Sequence, residues 1–433
     1  MTILGPPAHF EETSPEGRRR RASALVAVFA VALAFRLGAL WFLAPPEPNY
    51  NYRLARGLVT AHTFAFGPEP TSYIEPLYPA FLASGMFLFG SDRLVLLLQA
   101  IVSASGAPAL LLIGWRLTAM RSAGAWAAML YAADPYFVRQ AHSYIEVPFA
   151  VPLLLWTLER LAAARRTGQA VAAGVLSGLV VLTRAALIPA LVGLLTVLYL
   201  RRGRAALVVT ATAVLLVCPW AWRSLVYNDS PLPTRTGESL FVSTSSYAVG
   251  VVPRYDADLL IQFATQRVEA RIPATSGRQK EGIADRLLMR ETLQFVLTHP
   301  GQTALLKLQN AAWIFAPVVL PRNAKSPGTH ADVVNGRVEL TGLVWRPLGW
   351  ELTHATFRAL MFVAAVLGFR NRRGIDDRWL LAVLGAEFVV YTVFFPTTRL
   401  LSSFSAVLMV YAGYGLARHT SRQDSKMAAA PCL

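Results

Sequence analysis

Apolar runs of roughly 17 to 22 residues recur along most of this chain, about the length that crosses a bilayer core as helix. Short connections rich in arginine separate them. No other feature narrows the fold as far. Backbone N–H and C=O groups in hydrocarbon find no water, so only helices and closed barrels can cross it. Alternating strand patterns of about ten residues are absent, which sets a barrel aside. Composition agrees: 55% of the 433 residues are hydrophobic, 15% are charged and the mean hydropathy is +0.43. These values exclude a soluble protein of this size. The chain reads as an all-α polytopic membrane protein.

The excess of 41 Lys and Arg over 25 Asp and Glu gives a net charge of +16. The basic residues sit in short clusters between apolar runs rather than on one continuous face. That pattern fits positive-inside topology and attraction to anionic membrane lipids, and nucleic acid is not an expected partner. Cys218 lies in an apolar run and Cys432 in the tail, so no disulfide framework is implied. Arg18 to Arg21 precede the first apolar run as in a signal peptide. That run has no small-residue cleavage site after it, and it reads as an uncleaved span.

Residues 1–21 form a basic cytoplasmic tail, and the first span covers Ala22 to Leu43. Arg36, near its outer end, either snorkels or faces the bundle. A transmembrane core then covers residues 22–222, with a first outer loop at 44–78. Pro76 to Gly90 is short and opens with prolines, which predicts a helix at the interface. Spans follow at Leu94 to Trp115, Gly124 to Val138 and Pro148 to Leu161. Arg116 and Arg121, then Arg160, Arg165 and Arg166, fall on the side of the N-terminus. Thr183, Arg184 and Pro189 interrupt Val171 to Leu200, predicting two short helices that meet near Arg184 on the outer side. Ala205 to Trp220 returns outward.

Residues 223–302 form a large outer loop, with a helix over Glu281 to Thr298. A C-terminal membrane region at 303–417 carries a second outer loop at 321–352 and spans at Thr356 to Phe369, Trp379 to Phe395 and Leu400 to Leu416. Residues 418–433 are a cytoplasmic tail. Whether Thr303 to Leu320 crosses stays open, with an interfacial or re-entrant helix preferred. The expected total is about 10–11 crossings. No internal repeat of the transporter kind is visible.

Three acids fall on the outer side, Glu47, Glu75 and Glu146, with Asp134 nearby. A carboxylate partly withdrawn from water is raised toward neutrality, which suits a general base. Such acids also cap helices or pair with arginines. Arg184, Arg223, Lys307 and Arg399 supply the opposite charge near membrane depth, where a cation is a functional candidate. A guanidinium matches phosphate geometry. Pairing with Glu146 and Glu387, or with lipid headgroups, is the alternative. There is no Walker loop, HExxH or paired CxxC, and the seven histidines show no ligand spacing.

The order of these motifs resembles the GT-C class of polytopic membrane glycosyltransferases, in the bacterial branch related to protein O-mannosyltransferases and the lipid A aminoarabinose transferase. The matching elements are Glu47 with Tyr50, Asn51 and Tyr52, the LARGL segment from Leu54 to Leu58, and PLYP from Pro76 to Pro79. Glu146 in SYIEVPF, LSGLVVLTR ending at Arg184, PWAWR ending at Arg223, LTHP from Leu297 to Pro300, Lys307 and Arg399 follow in order. The resemblance covers Ala22 to Arg418. Glu47 stands where the family usually has aspartate, and TTRLL has one arginine where the family has two.

The resemblance implies a GT-C-like bundle in the bacterial inner membrane with its active site facing the periplasm. It implies an inverting transfer of a sugar from a polyprenyl-phosphate donor to a hydroxyl acceptor. Glu47 would be the base, and Glu146 would position the acceptor or a cation. Arg184, Arg223, Lys307 and Arg399 would neutralise the departing phosphate, with Glu75, Tyr52 and Tyr78 lining the substrate pocket. No cofactor motif is present, and a divalent cation stays an open alternative. A transporter or lipid-handling protein, or a relative without catalysis, are the other readings.

Overall fold

The computed structural model describes residues 14–428 apart from 165, 274–278, 325, 327, 336 and 374, with side chains to residue 421. Arg165, Cys432 and both extreme tails lie outside the described residues. The first helix, α1 (Pro15–Phe42), starts earlier than the apolar run because its cap lies in the basic tail. Ser14 accepts the Gly17 N–H at 3.1 Å and Pro15 holds the first position. Arg36 is fully buried and faces the bundle rather than snorkelling. Its Nε donates to Ser103 Oγ at 2.8 Å, and its guanidinium lies 4.8 Å from the Tyr131 ring centre.

After the first loop, which carries α2 (Tyr50–Ala61), come α3 (Leu77–Phe89), α4 (Asp92–Ala104), α5 (Gly106–Thr118) and α6 (Arg121–Ala133). The span expected over Gly124 to Val138 stops early. The Asp134 carboxylate accepts the N–H groups of Tyr136 at 2.7 Å and Phe137 at 3.2 Å, and so starts a separate short helix, α7 (Pro135–Gln140). Proline at position 135 cannot continue the helix before it. Next are α8 (Val147–Ala163) and α9 (Thr167–Thr183), which ends at an extended Arg184 as expected. From there α10 (Ile188–Asn228) comprises two helical segments that meet at Arg202, whose backbone is non-helical (φ −148°, ψ 62°).

The lobe between α10 and the helix that follows holds α11 (Thr236–Ser243), α12 (Ile261–Glu269) and α13 (Lys280–Thr298). Helix α14 (Pro300–Ile314) has 15 residues, about 22 Å at 1.5 Å per residue, which is short of a bilayer core. The loop over residues 321–352 contains strands that alternation over so few residues did not reveal. Strand β1 (Asn323–Ala324) pairs antiparallel with β4 (Val344–Trp345), and β2 (His330–Val334) with β3 (Arg337–Thr341) in register from His330 opposite Thr341. Helices α15 (Leu348–Arg370), α16 (Arg378–Val393) and α17 (Ser402–Ala428) complete the bundle.

Among the described residues, four helical segments are long and apolar enough to cross a membrane: Pro15–Phe42, Asp92–Thr118, Ala185–Asn228 and Leu348–Arg370. Helices α6, α8, α9 and α16 hold 13 to 17 residues. Length and composition pick out these four segments, and the last-but-one of them, Ala185–Asn228, contains the break at Arg202. Outward side chains such as Trp41 and Phe42, both 84% exposed, suit contact with lipid.

Lipid gives helices no hydrophobic reason to associate, so close backbone approach through small residues holds them together. Helices α15 and α17 meet in this way: a Cβ on Gly368 would lie 1.9 Å from the Tyr411 carbonyl oxygen, and one on Gly415 2.2 Å from that of Ala364. Gly385 in α16 has open space at the same position. Gly368→Val should therefore destabilise the protein by at least about 1–3 kcal/mol, as overpacking does, while Gly385→Val changes little. Melting in detergent measures both, and equal behaviour of the two variants would contradict this packing.

Candidate functional site

The start of α8 and the connection between α16 and α17 meet at one ion pair. Glu146 stands at the α8 N-cap, just ahead of Pro148. Arg399 follows Pro396 in a non-helical link. Arg399 Nε donates to Glu146 Oε1 at 3.0 Å and Nη2 to Oε2 at 2.6 Å, a two-pronged contact that fixes orientation as well as distance. The same Nη2 also donates to the Tyr50 hydroxyl of α2. Burial alone would raise the Glu146 carboxyl, but Arg399, its hydrogen bonds and Arg184 hold it below its ordinary range.

Arg184 packs beneath this pair. With its side chain buried where α9 ends, it donates to the Leu400 carbonyl at 2.9 Å and the Arg399 carbonyl at 3.5 Å. Breaking the helix there leaves the Ala185 N–H without a helical partner, and Glu75 accepts it at 2.5 Å. Burial pushes the Glu75 carboxyl up, and the nearby Glu146 adds to that, against the pull of the Ala185 N–H and Arg184. Two neighbouring carboxyls are thus driven in opposite directions.

The first loop is pinned to this centre from several sides. Asn49 and Asn51 donate to the Tyr144 carbonyl at 2.6 and 3.1 Å, and His142 Nε2 lies 2.8 Å from the Ala44 carbonyl oxygen. Tyr50 and Tyr52 differ by about 200° around the helix and so face apart. Tyr50 meets Arg399, whereas Tyr52 donates to Asp92 Oδ2 at 2.9 Å, away from the ion pair. Tyr78 is buried and donates to Gln99 Oε1 at 2.7 Å. Glu47 is exposed just ahead of α2 and, among the described residues, makes no hydrogen bond or ion pair.

The structure does not bring Arg223 and Lys307 to the pair. Arg223 donates to the Thr71 carbonyl at 3.0 Å and lies 4.5 Å from the Trp220 ring centre, clamping the first loop to α10. Lys307 donates to Thr244 Oγ1 and the Val393 carbonyl, joining α14 to the lobe and to α16. Arg235, which the sequence did not mark, does approach the centre. It lies 5.7 Å from the Tyr50 ring centre and within 3.4 Å of both Glu238 and Asp258. Its signal was the Arg235–Glu238 spacing of three in a short helix. Glu238 accepts from the Tyr73 hydroxyl at 2.7 Å and lines a cavity of about 330 Å³ in the lobe, with Glu69, Val268, Lys280, Glu281 and Leu288.

Among the described residues, no group of three or more His, Cys, Asp or Glu could hold a metal ion. Both Glu146 oxygens already accept from Arg399. The residues present do not fit a cation at this centre.

No protein-family profile and no curated protein sequence matches the chain. Among solved structures, the chain is similar to the Archaeoglobus fulgidus oligosaccharyltransferase, crystallised with Zn and sulfate, at a TM-score of 0.52 and 15% identity. The match covers 94% of this chain and 50% of that one, so the chain spans half the length of the archaeal protein. It is also similar to ArnT from Cupriavidus metallidurans bound to undecaprenyl phosphate, with a TM-score of 0.43, 16% identity and coverage of 92% and 79%. The apo state of that protein gives 0.41, 13%, 91% and 78%. The likeness to the archaeal enzyme is one of fold, and it gives this chain the GT-C helical architecture.

The opposed carboxyls set opposite pH slopes. Glu146, held below its ordinary value of 4.5, stabilises the fold above that pH, and the contribution is lost as pH falls through the lower folded value. Glu75, raised above 4.5, favours the fold at low pH and loses that advantage as pH rises from 4.5 through the raised value. Melting curves between pH 3 and 8 should therefore show Glu75→Gln gaining on the parent protein as pH rises. Glu146→Gln should lose about 1–3 kcal/mol near pH 7, because Arg399, with its side chain 32% exposed, loses its counter-charge, and less below pH 4. Parallel pH curves for the three proteins would contradict these assignments.

Proposed function

We propose that this chain is a glycosyltransferase that moves a sugar from a polyprenyl-phosphate carrier to a hydroxyl acceptor on the outer side of the membrane, with inversion. The observation that carries the reading is the Glu146–Arg399–Tyr50 centre, with Arg184 and Glu75; Glu47, three residues ahead of Tyr50, is an exposed carboxylate. The GT-C fold and the order of motifs across the chain support it.

In this scheme the acceptor oxygen attacks the anomeric carbon as the bond from that carbon to the phosphate oxygen breaks. The acceptor proton passes to the Glu47 carboxylate, and the bonding electrons leave on the phosphate. Positioned base catalysis is worth about 10² to 10⁴ in rate. Arg399 and Arg184 provide fixed positive charge for the leaving phosphate. Glu146 acts on the reaction through Arg399, holding its guanidinium in one orientation. Glu75, half-buried and held by the Ala185 N–H, orients substrate. Arg223 and Lys307 serve by anchoring the first loop and the lobe. The lobe cavity, connected to the centre through Glu238, Arg235 and Tyr50, is the region where acceptor choice is made.

The direct test is to delete the gene and compare envelope lipids, glycans and glycoproteins by mass analysis, complementing with the parent or with Glu47→Gln at matched expression. One sugar modification should vanish, return with the parent and stay at least about a hundredfold reduced with Glu47→Gln. Full restoration by Glu47→Gln would remove Glu47 as the base. An unchanged envelope in the deletion strain would count against glycosyl transfer itself.

A further inference from the structure

A second group of basic and aromatic side chains lies outside the Glu146–Arg399 centre, on the N-terminal half of α15. Trp350, His354 and Arg358 are spaced four apart and so share one helix face. His354 is 1% exposed and Arg358 4% exposed, yet neither His354 ring nitrogen has a hydrogen-bond partner, and neither do Arg358 Nε or Trp350 Nε1. Arg358 uses its other nitrogens on Ser405 Oγ at 3.1 Å and the Ile314 carbonyl at 3.4 Å. The rings of Trp350 and Tyr136 enclose His354, with centroids 6.2 and 6.0 Å away.

Two more arginines converge on this face from other elements. The exposed Arg139 of α7 lies 4.8 Å from the Trp350 ring centre, at the rim. Arg346, just ahead of α15, donates its Nε to the Pro321 carbonyl at 3.1 Å. The acids facing the group are Asp134, towards Arg358, and Asp256 and Glu351, towards Arg346. Glu351 Oε1 accepts no hydrogen bond. Tyr136 stands between this group and the first centre, in the field of Arg346 on one side and of Arg399 and Glu146 on the other.

We infer that the Trp350–His354–Arg358 face, with Arg139 and Arg346, binds a phosphate group carried by a membrane lipid. Buried donors without partners destabilise the empty protein, and a ligand that accepts from them removes that penalty. The donors come from two helices and a loop, so the acceptor needs oxygens pointing in several directions. A phosphate offers these and a carboxylate does not. A lipid carrier suits the rest of the helix. Leu348 is 71%, Leu352 58% and Leu360 65% exposed beside the site, giving acyl chains an apolar track. The inference goes beyond sugar transfer and does not depend on it.

The test uses the full-length chain in detergent, titrated separately with dioleoyl phosphatidic acid, with dioleoylglycerol, which lacks the phosphate, and with inorganic phosphate. Native mass spectrometry reads bound lipid, and melting temperature reads protection. Phosphatidic acid should bind and protect where dioleoylglycerol does not, with affinity about tenfold weaker in Arg346→Ala and in His354→Phe, as loss of a charge-assisted contact implies. Arg139→Ala, at an exposed position that leaves the fold intact, should weaken it as well. Equal binding of inorganic phosphate, lost in the same variants, would support the site with free phosphate as its ligand. Binding that is indifferent to the phosphate, or unchanged in all three variants, would overturn the inference.

Discussion

The contact between Glu146 and Arg399 joins residues 253 positions apart in the chain, and one end of the bundle is assembled around it. Desolvating two charges is expensive, and their attraction offsets it only when geometry is good and further hydrogen bonds complete the shells. Both conditions are met by the two-pronged contact and the Tyr50 hydroxyl. Because Arg184 is bonded to the carbonyls of Arg399 and Leu400, the same pair fixes where α9 breaks. That break in turn frees the Ala185 N–H that holds Glu75. Four charged side chains from four parts of the sequence thus depend on one orientation of one guanidinium.

A second constraint runs through the whole molecule. A cation near hydrocarbon must find acceptors within the protein. Arg36, Arg184, Arg223 and Lys307 all find them in backbone carbonyls. These carbonyls sit at helix breaks, loop edges or within a helix, so the cations serve as struts where chain segments meet. The α15 group gathers several buried, unpartnered donors on one helix face, where Arg36, Trp220 and Arg322 each leave a single one.

Much of the helical layout was legible because it rests on local chemistry. Proline, extended arginine and apolar length are local signals, and the break at Arg184 and the short helix after Pro76 are where those signals place them. The split at Asp134 was missed although Asp-Pro is a strong cap and helix start, because the apolar pattern continues across it. The hairpin of β2 and β3 was missed because five-residue strands at an exposed loop carry too little alternation to register. Tyr52 was preferred as a pocket residue, and helical rotation turned Tyr50 to the centre instead. The stripe at Trp350, His354 and Arg358 was visible as a spacing of four in WELTHATFR, but the expected span began at Thr356, which cut it in two.

The sequence by itself determined that the chain is a helical membrane protein and which residues are too costly to leave unpaired in or near a bilayer. Both follow from apolar run length and from the energetics of charge in hydrocarbon, which any arrangement of helices must respect. Only the tertiary structure decided which charges meet. It assigned Glu146 to Arg399, left Glu47 unpaired, sent Arg223 and Lys307 to separate anchors, and brought Arg235 close. Pairing across hundreds of residues depends on how helices pack through their small residues, and that information is spread over the whole chain rather than written at the charged positions.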